Sequence, residues 1–251
     1  MTQPKWAFYN QQYAKHGQYG GAQLVAAAQY PEGNPEEYFR AIVMGLGGPQ
    51  KRVLDIGSGS GGFTLSLAPQ YGQVVGVEPS DLMQKAQAQQ QEMGIQNVVF
   101  ERQDAFHTTF ADQSFDVIYS RRGPNPRAEV DRLLRPDGDF VHITIGYDDA
   151  RSLKDLFGRG QMFEKRGSSL DWRRQKLLER GYDICVLKEY GYDEYYATID
   201  DLNAFLARVP IFEDYGLPGD ADLLLRYAES NMTPQGIWVG RHRVLVHATK
   251  R

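Results

Sequence analysis

The chain has 251 residues, of which 41% are hydrophobic and 24% charged, with a formal net charge of −4. These values are ordinary for a globular protein and exclude a disordered, collagenous or coiled-coil chain. No run approaches the roughly 20 apolar residues of a membrane span, and the first residues lack a signal-peptide core. The single cysteine, Cys185, excludes an intramolecular disulfide and a cysteine-rich zinc site. We therefore expect a cytoplasmic globular protein without a metal site, and the negative charge argues against a general nucleic-acid binder.

Up to residue 146, apolar runs alternate with stretches long enough for helices. Residues 1–46 are expected to form a mainly helical cover. Five later runs rich in β-branched residues are separated by roughly 15–20 residues, enough for crossover helices between parallel strands. Their continuous apolar character predicts strands covered on both faces, as in a doubly wound α/β sheet. The runs are residues 52–56, 73–78, 97–101, 115–119 and 140–145.

The pattern changes after residue 146. Residues 151–181 carry nine basic and four acidic side chains, a local net charge of +5, and are expected to form one or two helices. A sixth strand is expected at residues 184–187, where Cys185 would pack as a small hydrophobic residue. Further helices and a last strand are expected at residues 198–209, 220–230 and 237–247.

A glycine loop follows the first of the five strands. It occupies residues 57–62 in the run Val53-Leu54-Asp55-Ile56-Gly57-Ser58-Gly59-Ser60-Gly61-Gly62. Glycine permits positive φ and lets a ligand approach the backbone, and the next helix begins with free N–H groups. Two cofactors fit this pattern. A dinucleotide fits the spacing of Gly57, Gly59 and Gly62, with Glu78 placed for ribose hydroxyls; S-adenosylmethionine is the other.

Three details favour S-adenosylmethionine. Asp55, two residues before the first glycine, would repel a pyrophosphate but attract the ammonium and sulfonium groups of S-adenosylmethionine. Asp104 follows the third strand, where its carboxylate is able to accept a hydrogen bond from an adenine amino group. Residues 133–138, Leu-Leu-Arg-Pro-Asp-Gly, form a tight turn that leads into the fifth strand.

With these motifs in this order, the chain resembles the class I S-adenosylmethionine-dependent methyltransferases, and in particular their small-molecule, UbiE-like type. The resemblance implies a Rossmann-like, doubly wound, seven-stranded sheet whose last strand is antiparallel. It also implies one domain in four parts: a helical cover (1–46), a cofactor-binding core (51–146), a sixth strand with a helical lid (147–232) and a terminal strand (236–250). The matching stretches are residues 53–62, 76–80, 103–105, 114–118 and 133–138.

The resemblance further implies which residues bind the cofactor. The loop backbone would approach its methionine part, Asp55 its amino group and Glu78 its ribose. Asp104, with Ala105 and Phe106, would meet the adenine, near Pro79 and Met83. Ser120 and Arg121 would face the methionine end and the acceptor. Tyr13 lies in a segment that resembles the aromatic opening segment of many members, which folds over the cofactor. The loop residues are Gly57, Ser58, Gly59 and Gly61.

The acceptor and the catalytic residues are not identified by any motif. No Asn-Pro-Pro-Tyr or Asp-Pro-Pro-Tyr follows the fourth strand, and no cysteine nucleophile lies near it, so a small molecule is the first choice. The arginine pair 121–122 suits an anionic acceptor, and the aromatic residues of the lid suit an aromatic one. RNA stays open because of the basic segment 151–181, as do an NAD(P)-dependent oxidoreductase and a non-catalytic cofactor-binding protein. Side chains expected near the mouth of the site are Tyr13, His107, Arg121, Arg122 and Tyr147.

Overall fold

The computed structural model describes Asn10 and residues 22–251. Tyr13, predicted to lie over the cofactor, falls outside these residues. The described part of the expected helical cover holds a short 3-10 helix (Ala22–Leu24), strand β1 (Ala27–Gln29) and helix α1 (Pro35–Gly45). The prediction of a mainly helical segment was therefore incomplete, because β1 adds to the edge of the sheet. Helix α1 begins where the Asn34 side chain accepts a hydrogen bond from the Glu36 N–H at 3.0 Å.

The core alternates strands and helices as the apolar runs predict. A glycine loop follows the first strand of this core, and a short helix then follows the loop. The strands are β2 (Gly48–Ile56), β3 (Tyr71–Val77), β4 (Val98–Glu101), β5 (Phe115–Arg121) and β6 (Leu134–Ile145). The helices are α2 (Gly62–Ser66), α3 (Leu82–Glu92) and α4 (Arg127–Leu133).

The remaining chain completes the sheet and covers one end of it. Its strands are β7 (Tyr182–Tyr196), β8 (Met232–Thr233) and β9 (Gly236–Lys250). Its helices are α5 (Arg151–Phe157), α6 (Leu170–Glu179), α7 (Ile199–Arg208) and α8 (Asp220–Ser230). The expectation for Cys185 was wrong: its side chain is exposed on β7, 3.5 Å from the Thr249 hydroxyl.

The strands form one sheet in the order β1-β7-β9-β6-β5-β2-β3-β4, with β8 paired to β9. Strands β2 to β6 run parallel to their neighbours within this group, whereas β9 runs antiparallel to β6 and β7. The predicted doubly wound sheet with an antiparallel last strand is confirmed. The described part contains nine strands instead of seven, because the short strands β1 and β8 extend it.

Both faces of the sheet are buried, as the continuous apolar runs predict. Val53 packs into the cluster on one face and Leu54 into the cluster on the other, because successive strand residues point to opposite faces. A third apolar cluster lies under helices α5, α7 and α8, where the rings of Phe157 and Phe212 stack with centroids 4.6 Å apart. In the described residues no helix is long and apolar enough to cross a membrane.

Candidate active site

The glycine loop is held against the sheet by its backbone. The N–H groups of Gly57 and Ser58 both donate to the carbonyl of Val77, at 3.0 and 3.1 Å. Gly59 and Gly61 have φ of +55° and +78°, a region that favours glycine. A Cβ at Gly61 would lie 2.6 Å from atoms of its neighbours in the core, whereas a Cβ at Gly59 would meet nothing within 4 Å. The loop is therefore packed on one side and open on the other.

Glu78, directly after β3, is buried beside this loop and is 7% exposed. Its Oε2 accepts a hydrogen bond from the Gly59 N–H at 3.0 Å, and its Oε1 accepts one from the Ser80 N–H at 2.9 Å. Each carboxylate oxygen has a further lone pair to offer. The side chain is thus fixed in place and still able to accept hydrogen bonds from a ligand.

Asp55 lies beneath the loop, in the interior of the protein. It is 3% exposed, and its Oδ2 accepts a hydrogen bond from the Thr64 hydroxyl at 2.6 Å. Burial raises the pKa of Asp55 to about 6, although the Thr64 hydrogen bond and the charge of Arg121 lower it. The carboxylate thus makes its closest described contact with helix α2. The sequence analysis did not name Thr64. It is the third residue of helix α2, which follows the glycine loop directly, and this placement brings its hydroxyl close to Asp55.

The residues expected around the adenine fall into two groups. Phe106 is 53% exposed, and its N–H donates to Asp104 Oδ1 at 3.0 Å, so both side chains lie at an open surface. Ala105 is buried in the core. Met83 also lies in the core, whereas its neighbour Leu82 lines the smaller of the two cavities described below. Leu82 and Met83 are successive residues at the start of α3 and therefore point in different directions around the helix axis.

Ser120 and Arg121, at the end of β5, anchor a turn and a neighbouring helix. The buried Ser120 hydroxyl lies 2.9 Å from the carbonyl oxygen of Pro124 and 3.2 Å from that of Ile56. Arg121 Nε donates to Glu36 Oε2 at 2.7 Å, and Arg122 Nε lies 3.3 Å from Glu36 Oε1. The two arginines, which sequence reasoning assigned to the mouth of the site, are therefore bridged by a carboxylate from α1. Sequence reasoning missed Glu36.

Two adjacent cavities in the described part of the protein open from the glycine loop and share seven of their lining residues. We call the larger one, of about 1000 Å³, the outer cleft; on the core side it is lined by Pro79, Asp104, Ala105 and Phe106. Residues 159–162 and 213–214 of the lid line its other side. The smaller one, of about 300 Å³, we call the inner chamber. Both cavities are lined by Gly57, Glu78, Arg122, Gly123, Pro124, Ile145 and Gln161.

Both cationic and anionic side chains line the inner chamber. Its cations come from three distant parts of the chain: Arg121, Arg122, Lys154, Arg241 and Arg243. Asp149 Oδ1 accepts hydrogen bonds from Arg241 Nε at 2.9 Å and from Arg243 Nη1 at 2.6 Å. Although burial raises the pKa of Asp149, these two guanidinium groups hold it well below its usual range. Glu194 forms the second ion pair of Arg241.

Sequence reasoning missed this group of charges. The one available signal was the alternation of Arg241 and Arg243 in an otherwise apolar strand, which turns both side chains to one face of β9.

Other expected site residues lie away from the two cavities. His107 is exposed, and neither it nor Tyr147 lines the outer cleft or the inner chamber. His142, which was not among the predicted site residues, is buried in β6, and burial lowers its pKa to about 3. Of the aromatic residues expected in the lid, Phe205 lines the inner chamber, while Tyr196 and Phe212 pack in the third apolar cluster.

Most charges of the basic segment 151–181 are paired. Asp155 binds two of its arginines and Asp220 binds a third, while further pairs are formed with residues 131, 179 and 214. One lysine of the segment, Lys154, lies in the inner chamber. Across Asn10 and residues 22–251, no group of three or more His, Cys, Asp or Glu side chains is arranged to hold a metal ion.

Comparisons with known proteins match both the fold and the stretch of sequence that holds the glycine loop. Residues 53–138 match a family described as a methyltransferase domain. This match supports the class I, S-adenosylmethionine-dependent methyltransferase type that the motifs predict, and the relatives and solved structures below agree with it. Between the two cofactors that the glycine loop allows, this class uses S-adenosylmethionine.

Particular relatives match part of the chain in sequence and most of it in fold. The uncharacterized methyltransferase YcgJ of Bacillus subtilis is 34% identical over 102 residues, which are 38% of this chain and 40% of that relative. The chain thus matches about two fifths of that relative's length. The crystal structure of YcgJ aligns with a TM-score of 0.59 at 19% identity, covering 86% of this chain and 99% of the other.

Two further solved structures share the fold. A functionally unknown protein from Deinococcus radiodurans R1 aligns with a TM-score of 0.63 at 20% identity, covering 90% of this chain and 92% of that one. The geranyl diphosphate C-methyltransferase of Streptomyces coelicolor, solved with Mg²⁺, geranyl diphosphate and S-adenosyl-L-homocysteine, aligns with a TM-score of 0.54 at 16% identity. That alignment covers 94% of this chain and 92% of the enzyme. At these identities the similarity concerns the fold.

Proposed function

We propose that the protein transfers a methyl group from S-adenosylmethionine to a small-molecule acceptor. One observation carries this proposal: the outer cleft and the inner chamber meet at the glycine loop and share Gly57 and Glu78 in their walls. A nucleoside in the cleft would therefore have its reactive end at the entrance of a second, enclosed space. Such an arrangement suits a reaction between two molecules held side by side.

The residues of the glycine loop and of the outer cleft fit the cofactor. Gly59, which lines the inner chamber next to the shared wall, leaves open space where a Cβ would stand, and Glu78 keeps lone pairs for a ribose diol. Asp104 and the exposed ring of Phe106 lie where an adenine would need an acceptor and a flat partner. The family resemblance also named Ser58, Gly61 and Pro79 as cofactor-binding residues. Ser58 and Gly61 belong to the glycine loop, and Pro79 lines the outer cleft.

The chain's own part in the reaction is alignment and exclusion of water. When bound, S-adenosylmethionine supplies a methyl group already activated by its sulfonium. The Ser120 hydroxyl fixes the turn that forms the shared wall of the two cavities, and Arg121 ties this wall to α1 through Glu36. Apolar residues of the lid, Phe205 and Val209 among them, close the inner chamber. A general base is needed only where the acceptor must lose a proton.

Size and charge favour a small molecule over RNA. The inner chamber, about 300 Å³, is at the lower end of the range of small-molecule pockets. The basic segment that kept RNA open has most of its charges paired with carboxylates of the chain. RNA methylation and a non-catalytic role in cofactor binding are the alternatives that experiments need to separate.

Calorimetry tests the cofactor half of the proposal. We expect S-adenosylhomocysteine to bind with a dissociation constant at least about a hundredfold below that of NAD⁺ or NADP⁺, a difference of about 2.7 kcal/mol. Tight binding of a nicotinamide dinucleotide without binding of S-adenosylhomocysteine would make the protein an oxidoreductase candidate and overturn the proposal.

A transfer assay tests the acceptor half. The protein is incubated with S-adenosylmethionine labelled in its methyl group and with separate pools of small metabolites and of RNA. Label in the metabolite pool supports the proposal, and label in RNA alone supports the alternative. Intact S-adenosylhomocysteine binding with no product in either pool would support a non-catalytic cofactor-binding protein.

A further inference from the structure

We propose that the inner chamber binds an anionic group of the methyl acceptor, a carboxylate or a phosphate, through Lys154 and Arg122. This inference rests on the proposed function, because it names the class of acceptor for the same site. Lys154 lies on α5, in the lid, and Arg122 lies in the turn after β5. Both line the inner chamber, and Arg122 also lines the outer cleft.

The charges around the chamber do not balance. Within the described part of the chain, five cationic side chains line it, against the carboxylates of Glu78, Asp149 and Glu194. Glu36, behind the arginine pair, adds a fourth carboxylate. S-adenosylmethionine carries a sulfonium, an ammonium and one carboxylate, so its binding would add a further positive charge. The site would then hold a surplus of two positive charges before an acceptor enters.

The ion pairs among these side chains show where the surplus positive charge lies. Arg241 and Arg243 are balanced by Glu194 and Asp149, which bind their guanidinium groups directly. Glu78 directs its two oxygens at backbone N–H groups on the cofactor side of the chamber. Two cations thus have full partners on the far wall, and the remaining positive charge belongs to Lys154 and to the arginine pair.

Lys154 has no partner of its own in the part of the chain that the structure describes. It is 1% exposed, yet its ammonium group forms no hydrogen bond or ion pair with residue 10 or residues 22–251. Burial lowers its pKa, and the nearby Asp149 raises it only in part. Burying an ammonium group is costly unless an anion compensates it. A ligand anion in the chamber would supply that compensation.

Arg122 shares its carboxylate and stands in a strained backbone position. Glu36 accepts a hydrogen bond from Arg121 at 2.7 Å and lies 3.3 Å from Arg122, so one carboxylate serves two arginines. The φ of Arg122 is +58°, which costs a residue with a Cβ about 1 kcal/mol more than glycine. Strain of this kind collects at functional sites, where the side chain is needed.

The test compares anionic probes with neutral ones that carry the same aromatic ring. Benzoate is paired with benzamide, and phenyl phosphate with phenol. Each is titrated by calorimetry into the full chain saturated with S-adenosylhomocysteine, at up to about 10 mM, tenfold above a dissociation constant of about 1 mM. We expect an anionic probe to bind at least about tenfold more tightly than its neutral partner. Stronger binding of phenyl phosphate than of benzoate assigns a phosphate to the site, and the reverse assigns a carboxylate.

Two variants connect this preference to the proposed residues. Lys154→Met should reduce the anion preference at least about tenfold, while the dissociation constant of S-adenosylhomocysteine stays unchanged. Arg122→Gly should reduce the preference too, and it should fold because glycine suits a φ of +58°. Lys165→Met is the matched control, because this exposed lysine of the lid segment carries the same charge outside the chamber. It should keep the full preference.

The outcomes separate this inference from the proposed function. Absence of S-adenosylhomocysteine binding contradicts the proposed function, and the probes titrated alone then still report on the chamber. Binding of S-adenosylhomocysteine without any anion preference overturns this inference and leaves the proposed function in place. An anion preference that Lys154→Met and Arg122→Gly both retain also overturns it.

Discussion

The Glu78 carboxylate accepts a hydrogen bond from the backbone N–H of Gly59, with 3.0 Å between Oε2 and the nitrogen. Its other oxygen accepts from the Ser80 N–H at 2.9 Å. One side chain therefore joins the glycine loop after β2 to the first residues after β3. It holds two loops of the outer cleft in a fixed relation, and the lone pairs that remain point to a role in binding as well as in structure.

We expect Glu78→Gln to raise the dissociation constant of S-adenosylhomocysteine at least about tenfold, a loss of about 1.4 kcal/mol. The amide would turn an NH₂ group toward one of the two backbone donors and would carry no charge for the ribose hydroxyls. Calorimetry measures the change. Glu101→Gln, at the end of the neighbouring strand β4, should bind as tightly as the wild type. A Glu78→Gln constant within about twofold of the wild type would refute the proposed role.

The core of the fold was predictable because its signals are local. Each parallel strand is a short apolar run, and the glycine loop has a fixed spacing after the first of them. The positions of Asp55 and Glu78 at strand ends follow from this order alone. What a strand end does not reveal is which way a side chain turns. Asp55 was expected to face the cofactor, whereas its closest described contact is the Thr64 hydroxyl.

The inner chamber was not predictable because its residues are far apart in the chain. Arg121 pairs with Glu36 across 85 residues, and Arg241 pairs with Asp149 across 92. No short motif records such a pairing, and a count of charges along the chain misses it. The basic segment shows the same limit: its net charge of +5 suggested a surface for RNA, yet five of its nine basic side chains form ion pairs, and two of these five pair with carboxylates outside the segment.

The glycine loop provides a matched pair of substitutions. Gly59→Ala places a Cβ in open space at a φ of +55°, and should cost about 1 kcal/mol of stability from backbone strain alone. Gly61→Ala places a Cβ 2.6 Å from both Ala86 and Phe100, and should cost about 2 kcal/mol more. Denaturant unfolding measures both. Gly59→Ala should nevertheless bind S-adenosylhomocysteine weakly. An equal loss of stability in the two variants would contradict the finding that the loop is open at Gly59 and packed at Gly61.

Phe106 tests the adenine side of the outer cleft. Because its ring is half exposed, Phe106→Ala should change the free energy of unfolding little. Loss of a stacking partner should weaken S-adenosylhomocysteine binding by about 1 kcal/mol, roughly fivefold. Phe106→Tyr keeps the ring and should restore binding. Leu225→Ala, an equally exposed apolar residue on α8, is the control that should leave binding unchanged. Undiminished binding by Phe106→Ala would remove this residue from the site.

We expect Asp55 to make the free energy of unfolding depend on pH. Burial raises its pKa from 3.8 to about 6, so the folded protein binds this proton more tightly than the unfolded chain does. The ionised carboxylate therefore opposes folding above about pH 6, and this penalty disappears as the pH falls toward 3.8. The difference between a pKa of 3.8 and a pKa of about 6 corresponds to about 3 kcal/mol as an upper estimate.

Asp55→Asn should remove this penalty, because the amide is uncharged and its oxygen still accepts from the Thr64 hydroxyl. Its free energy of unfolding should exceed that of the wild type by up to about 3 kcal/mol at about pH 8, and the difference should shrink to zero near about pH 4. Denaturant titrations across this range measure it. Thr64→Val deprives the carboxylate of a donor, so the wild-type penalty at high pH should grow by about 1 kcal/mol. A difference between Asp55→Asn and wild type that does not vary with pH would mean that Asp55 has the same pKa in the folded and unfolded chain, and would contradict the burial penalty.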